Sequence, residues 1–255
     1  MNKVSVNGFG LSTGTYASFI EEIIEKGRQK TSGYICVANV HMFIESYRDS
    51  NFRRVVEEAD IVTPDGKPLC WYLKWKHGIV QERVAGMDLL PDLLARMEKE
   101  KQSVYFYGGS QELLDETGLY LHKNYPALEV AGLYSPPFRV LTEEEQTEIV
   151  AKINRAKPTI VFVILGCPRQ EKWMASMKGK IQSTMIGVGG ALPVLTGMQK
   201  RAPFWMQKIG LEWLYRLLQE PTRLFKRYAI TNTYFIYLLT RDLLAIGNSK
   251  KLYKQ

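Results

Sequence analysis

Thr159-Ile-Val-Phe-Val-Ile-Leu165, followed by Gly166-Cys-Pro-Arg-Gln-Glu-Lys-Trp173, is the stretch on which the fold turns. An apolar, β-branched run without polar alternation is a strand buried on both faces, as inside a parallel sheet. Gly166 ends it, and Pro168 is placed to open a helix over Arg169–Met177. The same order of strand, glycine turn and helix recurs on either side. Residues 104–107 end in Gly108-Gly109-Ser110 before a helix over 111–125. Residues 34–38 lead into a helical stretch around 42–59. Residues 61–63 end in Pro64-Asp65-Gly66, with helices near 68–76 and 88–101 beyond. Residues 4–6 lead through Gly8 and Gly10 to a helix near 16–30. A strand at 128–133 precedes a Pro136-Pro137 loop and a helix opened by Thr142, with Glu145 at capping-box spacing. Residues 184–188 end in Gly189-Gly190. Strands alternating with helices predict an α/β fold: a mostly parallel, Rossmann-like sheet with helices on both faces.

Length and composition bound the rest. The 255 residues suit one main domain, and 45% hydrophobic with 24% charged residues excludes disorder and collagen-like chains. Cys36, Cys70 and Cys167 lie far apart with no CxxC pair, which argues against a disulfide framework or structural zinc and for a reducing, cytosolic setting. The start lacks a signal-peptide pattern, and no run reaches the roughly 18 apolar residues of a span, so the expectation is a protein neither secreted nor integral. The net charge of +8 is unevenly placed: residues 201–255 hold ten Lys/Arg against Glu212, Glu220 and Asp242. They also hold ten of the 29 aromatics, Trp205, Trp213, Phe225 and Tyr234 among them. Cations interleaved with rings suit an anionic membrane interface, or nucleic acid through phosphates and stacking. The run Tyr234-Phe-Ile-Tyr-Leu-Leu239 favours the membrane and disfavours nucleic acid. The expected division is an α/β catalytic core over 1–196 and a basic, aromatic-rich C-terminal helical appendage over 197–255, divided at Pro221.

In open α/β sheets ligands bind beyond the carboxyl ends of the strands, which selects four clusters. Asn39-Val40-His41 follows the 34–38 strand; His41 suits binding or proton transfer, and equally a structural helix-start role. Asp65 sits on a Pro-Asp-Gly turn, either an ordinary turn or a carboxylate held to take a proton from a hydroxyl nucleophile. Gly108-Gly109 before a helix start, and Gly187-Val-Gly189-Gly190 at another strand end, let backbone approach a nucleotide diphosphate. The full GxGxxG spacing and the Walker lysine are absent, which disfavours a nicotinamide-dependent or P-loop enzyme. Arg169 and Gln170 open the helix after the central strand, while Cys167, with no partner histidine, reads as packing.

Read together, Thr63-Pro-Asp-Gly66, Glu82-Arg-Val-Ala-Gly-Met-Asp88, Leu165-Gly-Cys-Pro-Arg-Gln-Glu-Lys-Trp173, Gly187-Val-Gly-Gly190 and Leu211-Glu-Trp-Leu-Tyr-Arg-Leu217 closely resemble the WecG/TagA/CpsF family of bacterial glycosyltransferases. The resemblance spans roughly residues 4–227. It implies inverting transfer of a sugar from a UDP-sugar donor to a polyprenyl-diphosphate-linked sugar in surface polysaccharide synthesis, at the inner, cytoplasmic face of the cell membrane. It implies no metal and no cofactor, in keeping with the absence of a DxD motif. By position, Asp65 resembles the family's general base and Gln170 its active-site glutamine. Arg216, Arg223 and Arg227 match appendage arginines that reach the acceptor diphosphate, and Arg83 and Asp88 fall in a motif assigned to substrate binding. Teichoic-acid members carry threonine and glutamate where this chain has Val37 and His41, which leaves glucose, mannosaminuronic acid or another hexose as donor. A non-enzymatic basic module that binds acidic membrane or nucleic acid is the competing class, and a homo-oligomer through the aromatic tail is left open.

Overall fold

The computed structural model describes residues 1–252; the last three residues of the expected appendage lie outside the described residues. Six parallel strands form the central sheet in the order β4, β3, β8, β7, β5, β6. They are β3 (Gly33–Ala38), β4 (Ile61–Pro64), β5 (Ser103–Gly108), β6 (Glu129–Tyr134), β7 (Ile160–Ile164) and β8 (Thr184–Gly187). The β7 run lies between β5 and β8, buried along its whole length. Period-two alternation divides each strand between two cores. Tyr34, Cys36 and Ala38 of β3 face one layer with Tyr105, Tyr107, Val161 and Val163, whereas Ile35 and Val37 face the other with Phe106, Phe162 and Ile186.

The first layer holds α2 (Val40–Arg48), α3 (Ser50–Glu57), α4 (Lys67–His77), α7 (Glu143–Ala156) and α8 (Arg169–Met177). The second holds α1 (Tyr16–Arg28), α5 (Gly86–Lys99) and α6 (Gln111–Asn124), closed by the short α9 (Leu192–Leu195). The capping box expected at Thr142 and Glu145 is present.

Two local readings are corrected. Residues 4–6 do not lead straight into a helix: β1 (Asn2–Val6) pairs antiparallel with β2 (Phe9–Thr13) across Asn7-Gly8, both at positive φ. That is the geometry a two-residue Asn-Gly hairpin turn demands. The hairpin lies against β4, whose Val62 N–H donates to Ser12 Oγ at 3.0 Å. The helical stretch around 42–59 is two helices, because Asp49 is extended and its carboxylate accepts from the N–H groups of Asn51 and Phe52, capping α3.

Beyond the sheet come α10 (Phe204–Lys208), α11 (Glu212–Gln219) and α12 (Pro221–Leu252). One stripe of α12 is buried, namely Leu224, Thr231, Phe235, Leu238 and Asp242. Phe235 meets Phe43 edge-on at 5.8 Å, and Asp242 accepts from the Lys76 ammonium at 2.7 Å and from the Tyr72 hydroxyl. The other side of α12 leaves Phe225, Ile236 and Tyr237 exposed.

Candidate functional site

Every cluster selected from the sequence lies at the carboxyl edge of the sheet, because each directly follows a strand. Asp65 is fixed by its own backbone: its N–H donates to Ala38 O at 2.8 Å, tying the end of β4 to the end of β3. The side chain is only partly exposed. Burial lifts its carboxyl to about 7; Glu212 and Asp88 push the same way, and Arg83 and Arg216 oppose them. A carboxylate so poised is ionised for much of the time near neutrality yet basic enough to accept a proton.

Gly187 ends β8 with Gly189 and Gly190 just beyond it, and a side chain on any of the three would press on Gln170 or Arg216. A β-carbon on Gly187 would lie 2.8 Å from Gln170 Nε2, and one on Gly189, itself at φ +44°, would lie 3.1 Å from Gln170 Oε1. One on Gly190 would lie 2.3 Å from a guanidinium nitrogen of Arg216. Gln170 on the first turn of α8 is therefore seated on one glycine pair, and Arg216 of α11 on the next residue along. Gly108 and Gly109 end β5 at φ +104° and +81°, with Gly108 pressed against the Ile164 carbonyl. The following helix is capped by Ser110, whose hydroxyl accepts from Leu113 N–H.

The remaining sequence candidates fall into two further groups. Asn39 caps α2 through Met42 N–H at 3.1 Å. His41 is held near neutral form, its imidazole brought down to about 4 by burial and by the Arg227 charge. Its contact with Glu45 at 3.8 Å is therefore no ion pair at pH 7. His41 faces a cleft of about 290 Å³ between α2 and α12, lined by Arg48, Arg223, Lys226 and Arg227. Arg223 also pairs side-on with Glu220, donating from Nε to one carboxylate oxygen and from Nη2 to the other at 2.8 Å. Arg169 is exposed and, among the described residues, makes no side-chain hydrogen bond.

Arg83 and Asp88 are brought together, but with partners the sequence reading did not name. Arg83 bonds Asp88 at 3.0 Å and Glu212 of α11, while Arg201 bonds Asp88 at 2.5 Å and stands 3.7 Å from Glu212. Four charges alternate in sign beside Asp65 and join the loop before α5 to the segment that carries Arg216. Arg201 and Glu212 were detectable as partners in one respect: acids are scarce in residues 201–255. All three are engaged, Glu212 with Arg83, Glu220 with Arg223 and Asp242 with Lys76. Val37, buried beneath this group, packs beside Gly86 at the start of α5.

Among the described residues no group of three or more His, Cys, Asp or Glu side chains is arranged to hold a metal ion. None of the described helices is long and apolar enough to cross a membrane.

The profile of the glycosyl transferase WecG/TagA/CpsF family matches residues 4–249. The chain is 33% identical over 196 residues to an N-acetylglucosaminyldiphosphoundecaprenol N-acetyl-beta-D-mannosaminyltransferase of Bacillus spizizenii, covering 76% of this chain and 74% of the relative. It is 30% identical over 215 residues to the enzyme of the same name from Bacillus subtilis, covering 84% and 82%. A Staphylococcus aureus protein of that name is 26% identical over 254 residues, covering 97% and 96%.

Proposed function

Because the chain belongs to the WecG/TagA/CpsF family of glycosyl transferases, we propose that it moves a hexose-type sugar from a UDP-sugar to a polyprenyl-diphosphate-linked sugar, with inversion and without a metal. The observation that carries this reading is the placing of Asp65, just past β4, within reach of the charge of Arg216, which lies over Gly190 just past β8. In the proposed reaction Asp65 takes the proton of the acceptor hydroxyl as its oxygen attacks the anomeric carbon. The bond from that carbon to the UDP oxygen breaks on the opposite face, and the electron pair leaves with the diphosphate. Arg216 stabilises the developing negative charge, the role a divalent cation fills elsewhere. The glycine turns at 108–109 and 187–190 give the nucleotide diphosphate close backbone approach. Gln170 donates to a sugar or phosphate oxygen, and Arg223 and Arg227 in the α2–α12 cleft take the acceptor diphosphate.

The acceptor is a lipid, so the protein is proposed to dock peripherally on the inner face of the cell membrane through the segment after residue 197. Phe204 is 69% and Trp205 61% exposed, and Ile209, Phe225 and Ile236 are exposed with them, among Lys208, Arg223 and Lys226. Rings and aliphatic side chains among cations fit an anionic interface.

The test is UDP release from UDP-N-acetylmannosamine, UDP-glucose and UDP-N-acetylmannosaminuronic acid. Each is paired with a short-chain polyprenyl-diphosphate N-acetylglucosamine, with and without a chelator. Acceptor-dependent release that survives chelation and vanishes in Asp65→Asn is the expected result. Full turnover by Asp65→Asn would remove the base assignment, and absence of UDP binding would leave a basic membrane-binding module.

A further inference from the structure

Beside Gln170 lies a carboxyl group that the proposed reaction does not use. Glu171 is 0% exposed, on the first turn of α8. Its Oε1 accepts from Gln170 Nε2 at 2.7 Å, and its Oε2 has no hydrogen-bond partner among the described residues. The Cys36 and Cys167 thiols are its neighbours, and burial raises the carboxyl to about 7. A buried carboxyl is costly to keep, and Gln170, with the Cys167 thiol a weaker partner, is what offsets the cost among its side-chain neighbours.

That bond decides which way an amide points. Gln170 Oε1 accepts from Gly166 N–H at 3.2 Å while Nε2 donates to Glu171. Reversing the amide would set donor against donor at Gly166 and, with Glu171 ionised, acceptor against acceptor at its carboxylate. With one Nε2 hydrogen committed to Glu171, the nitrogen faces Gly187 within β8 while Oε1 faces Gly189 just past the strand end. We propose that Glu171 is a positioning residue that locks the Gln170 amide in one orientation at the end of β8, Nε2 toward Gly187 and Oε1 toward Gly189. This rests on the reading of Gln170 as a site residue, but the lock itself can be observed without turnover.

The experiment uses the full chain carrying Glu171→Gln, which keeps an acceptor oxygen, and Glu171→Met, which removes it at similar length. Hydrogen exchange of the Gln170 side-chain amide, assigned by its loss in Gln170→Leu, is followed by NMR beside turnover and thermal unfolding. The expected result is slow exchange in the wild type and Glu171→Gln, and at least tenfold faster exchange in Glu171→Met. Glu171→Met should lose about tenfold or more in kcat with donor KM within twofold, melt no lower than the wild type, and be rescued in turnover by Glu171→Gln. Unchanged exchange in Glu171→Met would overturn the proposal. So would equal loss of turnover in both variants with a lowered melting temperature, the mark of a packing role. If the wild type transfers no sugar, the glycosyltransfer reading fails while the exchange comparison still decides the lock.

Discussion

The guanidinium of Arg216 covers Gly190 so closely that a methyl group there would have to push it aside. An arginine from α11 thus reaches the end of β8 across the strand edge, and Gly190 fixes how near it comes. Gly190→Ala should displace Arg216 and cost about 10²-fold in turnover, in the range of losing one transition-state donor. The double variant Gly190→Ala, Arg216→Ala should be no worse than Arg216→Ala alone. Additive losses in steady-state kinetics would show that Gly190 acts otherwise.

Asp65 is held against its own ionisation, and the sign of the stability effect follows. With a folded value near 7 against about 3.9 unfolded, the unfolded chain releases this proton first as pH rises. Asp65 is therefore neutral in effect below pH 4 and increasingly destabilising from pH 4 to 7. Asp65→Asn should raise stability at pH 8 by about 1–2 kcal/mol, after allowance for its partial exposure, and leave it unchanged at pH 3.5. Melting curves at the two pH values check this, and a lowered melting temperature at pH 8 would contradict it.

Two carboxyls lie near 7, so the pH dependence of rate needs an assignment. If Asp65 is the base, kcat/KM rises with pH through about 7 and levels above it. Glu171, raised by burial to the same region, should contribute nothing to that limb. Glu171→Gln should keep the limb in place, and its disappearance would transfer the titration from Asp65 to Glu171.

The alternating charges Arg83, Glu212, Arg201 and Asp88 hold the segment of Arg216 beside Asp65. Glu212→Gln should leave Arg83 short of a partner and loosen α11. Turnover should fall about tenfold or more, and protease cleavage within 197–203 should become faster. A double-mutant cycle of Arg83→Met with Glu212→Gln should give a coupling of about 1–3 kcal/mol in unfolding free energy. Coupling near zero would mean that the bridge does not hold the segment.

What the sequence made legible was whatever is encoded locally. The β7 run could be read because an unbroken apolar strand can lie only inside a sheet, and its glycine and proline punctuation located α8 to the residue. The strand-end positions of Asp65, Gly108, Gln170 and Gly189 followed from that alternation. The hairpin was lost although Asn7-Gly8 announced it, because β2 carries Gly10 and two hydroxyl residues in five positions. Asp49 was read through as helix because its capping bonds run to the next turn and not to the pattern around it. The charged ring was beyond reach for a different reason: Arg83 and Glu212 are 129 residues apart, and Arg201 and Asp88 are 113. Only the tail's scarcity of acids pointed to such partners, without naming them.

The buried stripe of α12, from Leu224 to Asp242, runs along about 27 Å of helix axis. Such a helix works as a strut clamped along one side, and phase matters to it more than length. Two extra residues near Tyr228 would rotate everything beyond by roughly half a revolution, putting Thr233 in the place of Phe235 against Phe43, Ile236 in that of Leu238, and sending Phe235 outward. Seven would nearly restore the register. The helix can thus tolerate whole-turn changes in reach while forbidding small ones, so related chains can differ in span in steps and not continuously.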